Sequence, residues 1–226
     1  MEENLRIAWT EVIVADELDA HLEELGQAKI NALLVKQMFD DFTLPDNLKI
    51  LIPGCGTGQI FDYLSPKEFC KYQLTFSDIN QSFLDKLKKR LNDNGCRNFR
   101  CIIDDVENTI LTDQFDVIVL ILVLEQVDWE KGINTIINFN PQYIYLIIQE
   151  QGLDIETITV NVKSRDSIRR FSEMADPQLV PKDLIYSYLS KNNYKLVRTY
   201  ERPVLNQKVM VGLAFQRNHD IKNYGK

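Results

Sequence analysis

Metal-site and disulfide patterns are what this chain most obviously lacks. Its 226 residues include only two histidines, His21 and His219, and four cysteines, at 55, 70, 96 and 101. No two cysteines form a Cys-x-x-Cys pair, so no zinc pattern is present and no metal is expected. Long apolar runs are missing too: the longest, VIVLILVL at 117–124, is too short to cross a bilayer. The opening residues, MEENLRIAWTEVIVADELD, are acidic and lack the basic-then-apolar order of a secretory signal. A cytoplasmic protein with reduced thiols and no membrane partner is therefore expected. Positive charge is scarce, with 26 Lys and Arg against 33 Asp and Glu and a net charge of −7. Duplex-binding faces draw on clustered Lys and Arg, so this balance weighs against a nucleic-acid partner.

What is present is an ordinary globular composition, 45% hydrophobic, in a chain long enough to bury its own core. Residues 17–42 show apolar stripes at helical spacing (Leu18, Leu22, Leu25, then Ile30, Leu34, Met38), with Asp16 as candidate N-cap and Gly26 as a divider. Beyond Pro45, strand and helix signals alternate. Strands are expected at 49–52, 72–79, 99–103, 115–122 and 143–148, and helices near 57–64, 81–93 and 129–138. The strands are continuously apolar, as parallel strands covered on both faces are. That predicts an α/β, doubly wound sheet with right-handed crossovers. A helix at 181–193 precedes two strands, 194–203 and 208–216, joined too tightly to be parallel, so the last strand should be reversed.

The stretch KILIPGCGTG, 49–58, places Gly54, Gly56 and Gly58 directly after the first strand. Asp78 ends the second strand, twenty residues after Gly58, and Asp104-Asp105-Val106 ends the third. Each alone has a bland reading: a tight turn, a helix cap, a loop-start acid pair. Together they lie at the carboxyl ends of consecutive strands, the edge where open α/β sheets bind ligands. No Lys-Ser or Lys-Thr follows the glycines, which excludes a phosphate loop. The alternate-position spacing of GCGTG also departs from the dinucleotide fingerprint G-x-G-x-x-G.

These motifs resemble the class I S-adenosylmethionine-dependent methyltransferases. ILIPGCGTG is similar to their first motif, LTFSDIN to the ribose-binding motif and CIIDDV to the adenine motif. FDVIVLILVLEQV is similar to the corresponding segment of small-molecule members of the ubiquinone-biosynthesis type. The likeness covers about residues 47–151 and 181–217. It implies a Rossmann-like seven-stranded sheet of order 3-2-1-4-5-7-6 with its last strand antiparallel, and S-adenosylmethionine as methyl donor. It implies cofactor contacts at Pro53, Gly54, Cys55, Gly56 and Gly58 of the loop, and at Asp78 and Ile79 for the ribose. Asp105 and Val106 are the counterparts for the base, with Leu120 in the fourth strand. It also implies one domain over 1–226: a helical lid (1–45), a cofactor-binding half (46–151), a substrate-recognition insert (152–180) and a closing helix and hairpin (181–217).

Ile52 stands where the family usually carries an acid, and Gln126 where it carries a histidine. No catalytic base is evident. Residues that could line a substrate pocket are His21 of the lid, Leu122 and Gln126 after the fourth strand, and Arg169, which shares a helix face with Arg165 and could hold a carboxylate or phosphate. Gln27 and Asn31, four apart on one helix face, fit packing contacts better than pocket lining. A methyltransferase of a small O, N, S or C nucleophile is the leading expectation, working as monomer or homodimer. The alternatives are a nicotinamide-dependent oxidoreductase of related topology and a non-catalytic subunit with this fold.

Overall fold

A computed structural model of the chain describes residues 3–152, 165–175, 177–205 and 207–218. Seven strands form one sheet: β1 (Lys49–Pro53), β2 (Gln73–Asp78), β3 (Phe99–Ile103), β4 (Val117–Ile121), β5 (Tyr143–Gln151), β6 (Tyr194–Pro203) and β7 (Lys208–Arg217). Their order is β3-β2-β1-β4-β5-β7-β6. The first five pair in parallel, and β7 runs antiparallel to both β5 and β6. Sheet order and reversed last strand agree with the sequence reading.

The continuous apolar runs follow from two-sided burial. Along β1 and β4, Ile50, Ile52, Val117 and Val119 pack into one core, while Leu51, Ile118 and Leu120 pack into another on the opposite face. Helices α3 (Gln27–Asp40) and α5 (Gln81–Asp93) cover the first face. Leu34 and Met38 of α3, and Leu87 and Leu91 of α5, belong to its core. Helices α6 (Trp129–Asn138) and α8 (Lys182–Lys191) cover the second with Ile133, Ile136, Ile185 and Leu189. Alternate side chains of a strand point to opposite faces, so a strand buried on both has no position for a polar residue.

The N-terminal part holds α1 (Glu3–Ile7), a π-turn at Ala8–Val12, and α2 (Ala15–Glu24), separated from α3 by Gly26. Leu5, Ala8, Ile13 and Leu18 pack with Phe83 and with Ile168 and Phe171 of α7 (Asp166–Met174) in a third, smaller core. The expected N-cap, Asp16, instead lies inside the first turn of α2. Val14 holds the cap position, its N–H donating to Ser167 Oγ at 3.2 Å. The expected helix near 57–64 is only a 3-10 turn, Gln59–Asp62. Among the described residues no helix is long and apolar enough to cross a membrane.

Four free thiols were expected, but Cys70 and Cys96 are paired as a disulfide with Cα atoms 5.7 Å apart. The short helix α4 (Pro66–Phe69) ends at Cys70 and brings it to the turn before β3, a proximity that 26 residues of separation hide. Cys55 and Cys101 remain free.

One position in the loop after β1 tests the packing directly. Gly58 has φ +73°, and a Cβ there would lie 2.2 Å from Leu87 Cδ1, a side chain with no exposed surface. Gly58→Ala combines left-handed strain with overpacking and should destabilise the fold by roughly 2–4 kcal/mol in urea denaturation. A loss below about 0.5 kcal/mol would mean that Leu87 yields freely.

Candidate functional site

The chain leaves β1 at Pro53 and turns through Gly54, Gly56 and Gly58, each with positive φ. This loop is tied to β2 by two hydrogen bonds: Cys55 N–H donates to Ser77 O at 3.1 Å, and Gly56 N–H to Asp78 Oδ2 at 2.8 Å. Asp78 Oδ1 accepts from Asn80 N–H at 2.9 Å. Asn80 also caps α5, its side-chain oxygen accepting from Ser82 N–H at 2.9 Å, which leaves Asp78 no capping role. Burial pushes the Asp78 carboxyl up to about 6, against the pull of these backbone donors. A Cβ on Gly56 would meet no atom within 4 Å. The backbone there borders open space rather than packing.

The loop is also clasped by the N-terminal helix α2. Thr57 donates its hydroxyl to Asp19 of α2. Arg90 of α5 binds Asp19 at 2.9 Å, Asp62 at 2.7 Å and the carbonyl of Thr57. Lys86 reaches Asp19 at 2.6 Å and Asp16 at 2.5 Å. Burial alone would raise the Asp19 carboxyl. The hydrogen bonds from Lys86, Thr57 and Arg90 outweigh it and hold the group below its ordinary value.

At the end of β3 the two acids divide their work. Asp104 accepts from Thr109 Oγ1 and from Ile110 N–H, at 2.9 and 2.8 Å. Asp105 Oδ1 accepts from Glu107 N–H at 3.0 Å, and Oδ2 takes both Arg6 Nη atoms at 2.9 and 2.8 Å. The carboxylate expected to face a base therefore already carries a guanidinium from α1. Three residues on, Trp9 Nε1 donates to Gln126 Oε1 at 3.1 Å, and Trp9 O accepts from Asn80 Nδ2 at 2.8 Å. The indole stands edge-on to Phe171 and Phe83, with centroids 4.8 and 6.3 Å away.

These elements enclose a cavity of about 240 Å³. From the loop and strand ends, Gly54, Cys55, Gly56, Gly58, Asp78 and Ile79 line it; Asp105 and Val106 join from beyond β3. His21, Leu122 and Gln126 line it as well. Three expected contacts are not in the wall. Pro53 stays in the sheet opposite Ser77. Leu120 points with Ile118 into the core on the opposite face, and its neighbour Ile121 borders the cavity instead. Arg169 lies on the outside of α7, half exposed, bound to Asp166 and Glu173 of its own helix at 2.6 and 2.8 Å. Arg165 forks onto Glu24 at 2.6 and 2.5 Å. Of the insert expected at 152–180, residues 153–164 and 176 lie outside the described residues; its described part contributes Ile168 and Phe171 to the wall.

Sequence reasoning passed over the polar side of this cavity. Gln27 and Asn31, read there as packing residues, both line it, as do Gln59, Glu125 and Gln149. Four wall residues carry a buried atom with no hydrogen-bond partner among the described residues: His21 Nδ1, Asn31 Oδ1, Gln59 Nε2 and Glu125 Oε2. Native interiors leave few such atoms, and four around one cavity mark a place where a ligand completes the pairing. Burial lowers the affinity of His21 for a proton, with Arg165 adding to it against Glu24, so the imidazole is neutral. Leu122 holds φ +56°, a strained backbone for leucine, where the chain leaves β4 into the wall. Among the described residues no cluster of His, Cys, Asp and Glu could hold a metal ion.

Glu125 gives a pH test. Its Oε1 accepts from Gln149 N–H at 2.8 Å, and burial raises the carboxyl from 4.5 to about 7. The folded chain keeps a proton that the unfolded chain has released above about pH 4.5, so stability should fall between about pH 4.5 and 7 and level off above. The shift corresponds to on the order of 3 kcal/mol. Asp78 adds to the fall in the lower part of that window, from 3.8 to about 6. Glu125→Gln keeps an oxygen for Gln149 but has no proton to lose. Denaturant titrations should show a flatter pH dependence between pH 5 and 8 and a more stable protein at pH 8. A slope equal to that of the wild type would mean that Glu125 is ionised in the fold.

The residues fit an adenosine-bearing cofactor: a glycine loop open beside Gly56, a rigid carboxylate at Asp78, and an unpaired donor at Gln59 Nε2. Comparison with known proteins agrees. Residues 51–139 match the family model described as a methyltransferase domain. No curated protein matches the chain by sequence. Magnesium protoporphyrin IX methyltransferase from Synechocystis PCC 6803, solved with bound S-adenosylhomocysteine, superposes with a TM-score of 0.66 at 14% identity, covering 96% of this chain and 93% of that one. An S-adenosylmethionine-dependent methyltransferase from Aquifex aeolicus gives 0.57 at 16% identity, covering 88% and 96%. One from Clostridium acetobutylicum ATCC 824 gives 0.61 at 13% identity, covering 90% and 99%. Residues 51–139 thus carry a methyltransferase domain, set on the sheet order and glycine loop described above, and the cofactor it takes is S-adenosylmethionine.

Proposed function

We propose that the protein methylates a small molecule bound in the cavity between the glycine loop and the N-terminal helices. The observation that carries this is the shared lining: Trp9, His21 and Phe171 of the helices border the same cavity as Gly56 and Asp78 of the sheet edge. In this reading the chain is one domain, with residues 3–40 as its lid. Gly54, Gly56 and Gly58 let the cofactor's methionine part lie against the backbone. Asp78 accepts from the ribose hydroxyls, and Val106 covers the base. Ile52 leaves the usual acid position apolar, so the methionine end turns to Gln59, whose Nε2 is buried without a partner.

When bound, S-adenosylmethionine supplies an electrophilic methyl group on a sulfonium centre. The chain's own part is to hold the nucleophile in line and keep water out. Positioning of this kind can contribute on the order of 7 kcal/mol or more. The roof of Trp9, Leu18, Leu22 and Phe171 supplies the dry wall, and the Asp19–Arg90–Thr57 clasp holds it down on the loop.

S-adenosylhomocysteine should raise the melting temperature and bind in calorimetry, whereas NAD should do neither. Asp78→Ala removes a charged acceptor worth about 1.5–3 kcal/mol and should weaken S-adenosylhomocysteine binding by roughly 10- to 150-fold. Stabilisation by NAD and not by S-adenosylhomocysteine would speak for the oxidoreductase alternative, and binding of neither for the subunit; an Asp78→Ala variant that binds as the wild type does would remove Asp78 from the ribose contact.

A further inference from the structure

The charge of the cavity wall bears on which substrate it takes. Among the described residues no lysine or arginine lines the cavity. Arg6 is spent on Asp105, Arg165 on Glu24, and Arg169 on Asp166 and Glu173. His21 is the wall's one basic side chain among them, and burial keeps it neutral. A carboxylate or phosphate substrate would meet no counter-charge there. Apart from the donor Gln59 Nε2, which the reading above gives to the cofactor's methionine end, the wall's unpaired atoms are the acceptors Glu125 Oε2 and Asn31 Oδ1, with the imidazole nitrogen of His21 in the same lining.

Glu125 is the strongest of these. It is 3% exposed, its Oε1 is held by Gln149 N–H at 2.8 Å, and its carbonyl accepts from Gln178 N–H at 3.0 Å. With Oε1 held in this way, Oε2 is left without a hydrogen-bond partner. A buried carboxylate oxygen left unpaired is costly, so the site is built for a donor that the described chain does not supply.

We propose that this donor is the substrate's own nitrogen: the enzyme N-methylates a small primary or secondary amine, with Glu125 Oε2 receiving its N–H. This rests on the methyltransferase reading above. An ammonium brings two or three N–H donors to a wall of several acceptors, whereas a hydroxyl brings one. The Trp9 and Phe171 rings add faces that attract a cation. Glu125 takes one proton from the incoming ammonium, which frees the nitrogen lone pair. That pair forms the new N–C bond to the methyl group as the C–S bond breaks, and its electrons stay on sulfur. S-adenosylhomocysteine and an N-methylammonium leave, and the Glu125 proton passes to solvent. A carboxyl raised to about 7 by burial is suited to accept and return that proton near neutral pH.

The test uses the full chain saturated with S-adenosylhomocysteine, titrated in a calorimeter with a series of small alkyl and arylalkyl amines and with the matching alcohols and carboxylates. The amines should bind in preference to both other series. Glu125→Gln should weaken amine binding by at least about 10-fold, the loss of one charge-assisted hydrogen bond, while S-adenosylhomocysteine binds as before. Preference for alcohols or carboxylates, absence of binding by any amine, or a Glu125→Gln variant that binds amines as the wild type does would each overturn the proposal. The wild-type ranking of the three series decides the matter even if the variant does not fold. Failure of the wild type to bind S-adenosylhomocysteine would instead overturn the methyltransferase reading beneath it.

Discussion

The site depends on one tie, the 2.8 Å hydrogen bond from Gly56 N–H to the Asp78 carboxylate. It joins the turn after β1 to the end of β2, so two parallel strands whose register places Pro53 beside Ser77 also share a single ligand-facing edge. The tie works because Asn80 caps α5 and spares Asp78 that task. It also works because Gly56 bears no side chain that would project into the space the carboxylate faces.

Around that edge the N-terminal helices are held by charge. Asp19, Arg90, Asp62 and Lys86 form a network rather than a lone pair, and Asp19 and Arg90 are mostly shielded from water, at 17% and 13% side-chain exposure. Isolated surface pairs contribute little, whereas a shielded, multiply hydrogen-bonded cluster gives geometry as well as energy. Arg6 on Asp105 and Trp9 on Gln126 fasten a second point of the same roof. The result is a cavity whose acids near the loop and β3 are paired within the chain, and in which, among the described residues, the acid left with an unpaired oxygen is Glu125.

Most of the fold was legible because its strands are buried on both faces. Runs such as KILI and VIVLIL name themselves, and α5 and α6 carry the expected bounds at Gln81–Asp93 and Trp129–Asn138. The errors have specific causes. Leu120 was placed at the cofactor, yet a period of two puts it with Ile118 on the far face and leaves Ile121 to the cavity. Arg169 looked like an anion binder, but acids three residues before and four after it on α7 satisfy it locally. Glu125 carries no local signal of its own, because one acid within VLEQV stands out only once the β4–β5 edge surrounds it.

Sequence alone determined the strands, the glycine turn and the acid at the end of β2, because each is a local pattern: apolar runs, residues without side chains, a carboxylate at a strand end; the sheet order came with the family resemblance. Only the tertiary structure decided which groups are left without partners. Arg6 meets Asp105 across 99 residues, Arg165 meets Glu24 across 141, and Cys70 meets Cys96 across 26. Whether a charge is free to meet a ligand depends on such long-range pairings, and they exist only once hydrophobic burial has folded the lid onto the sheet.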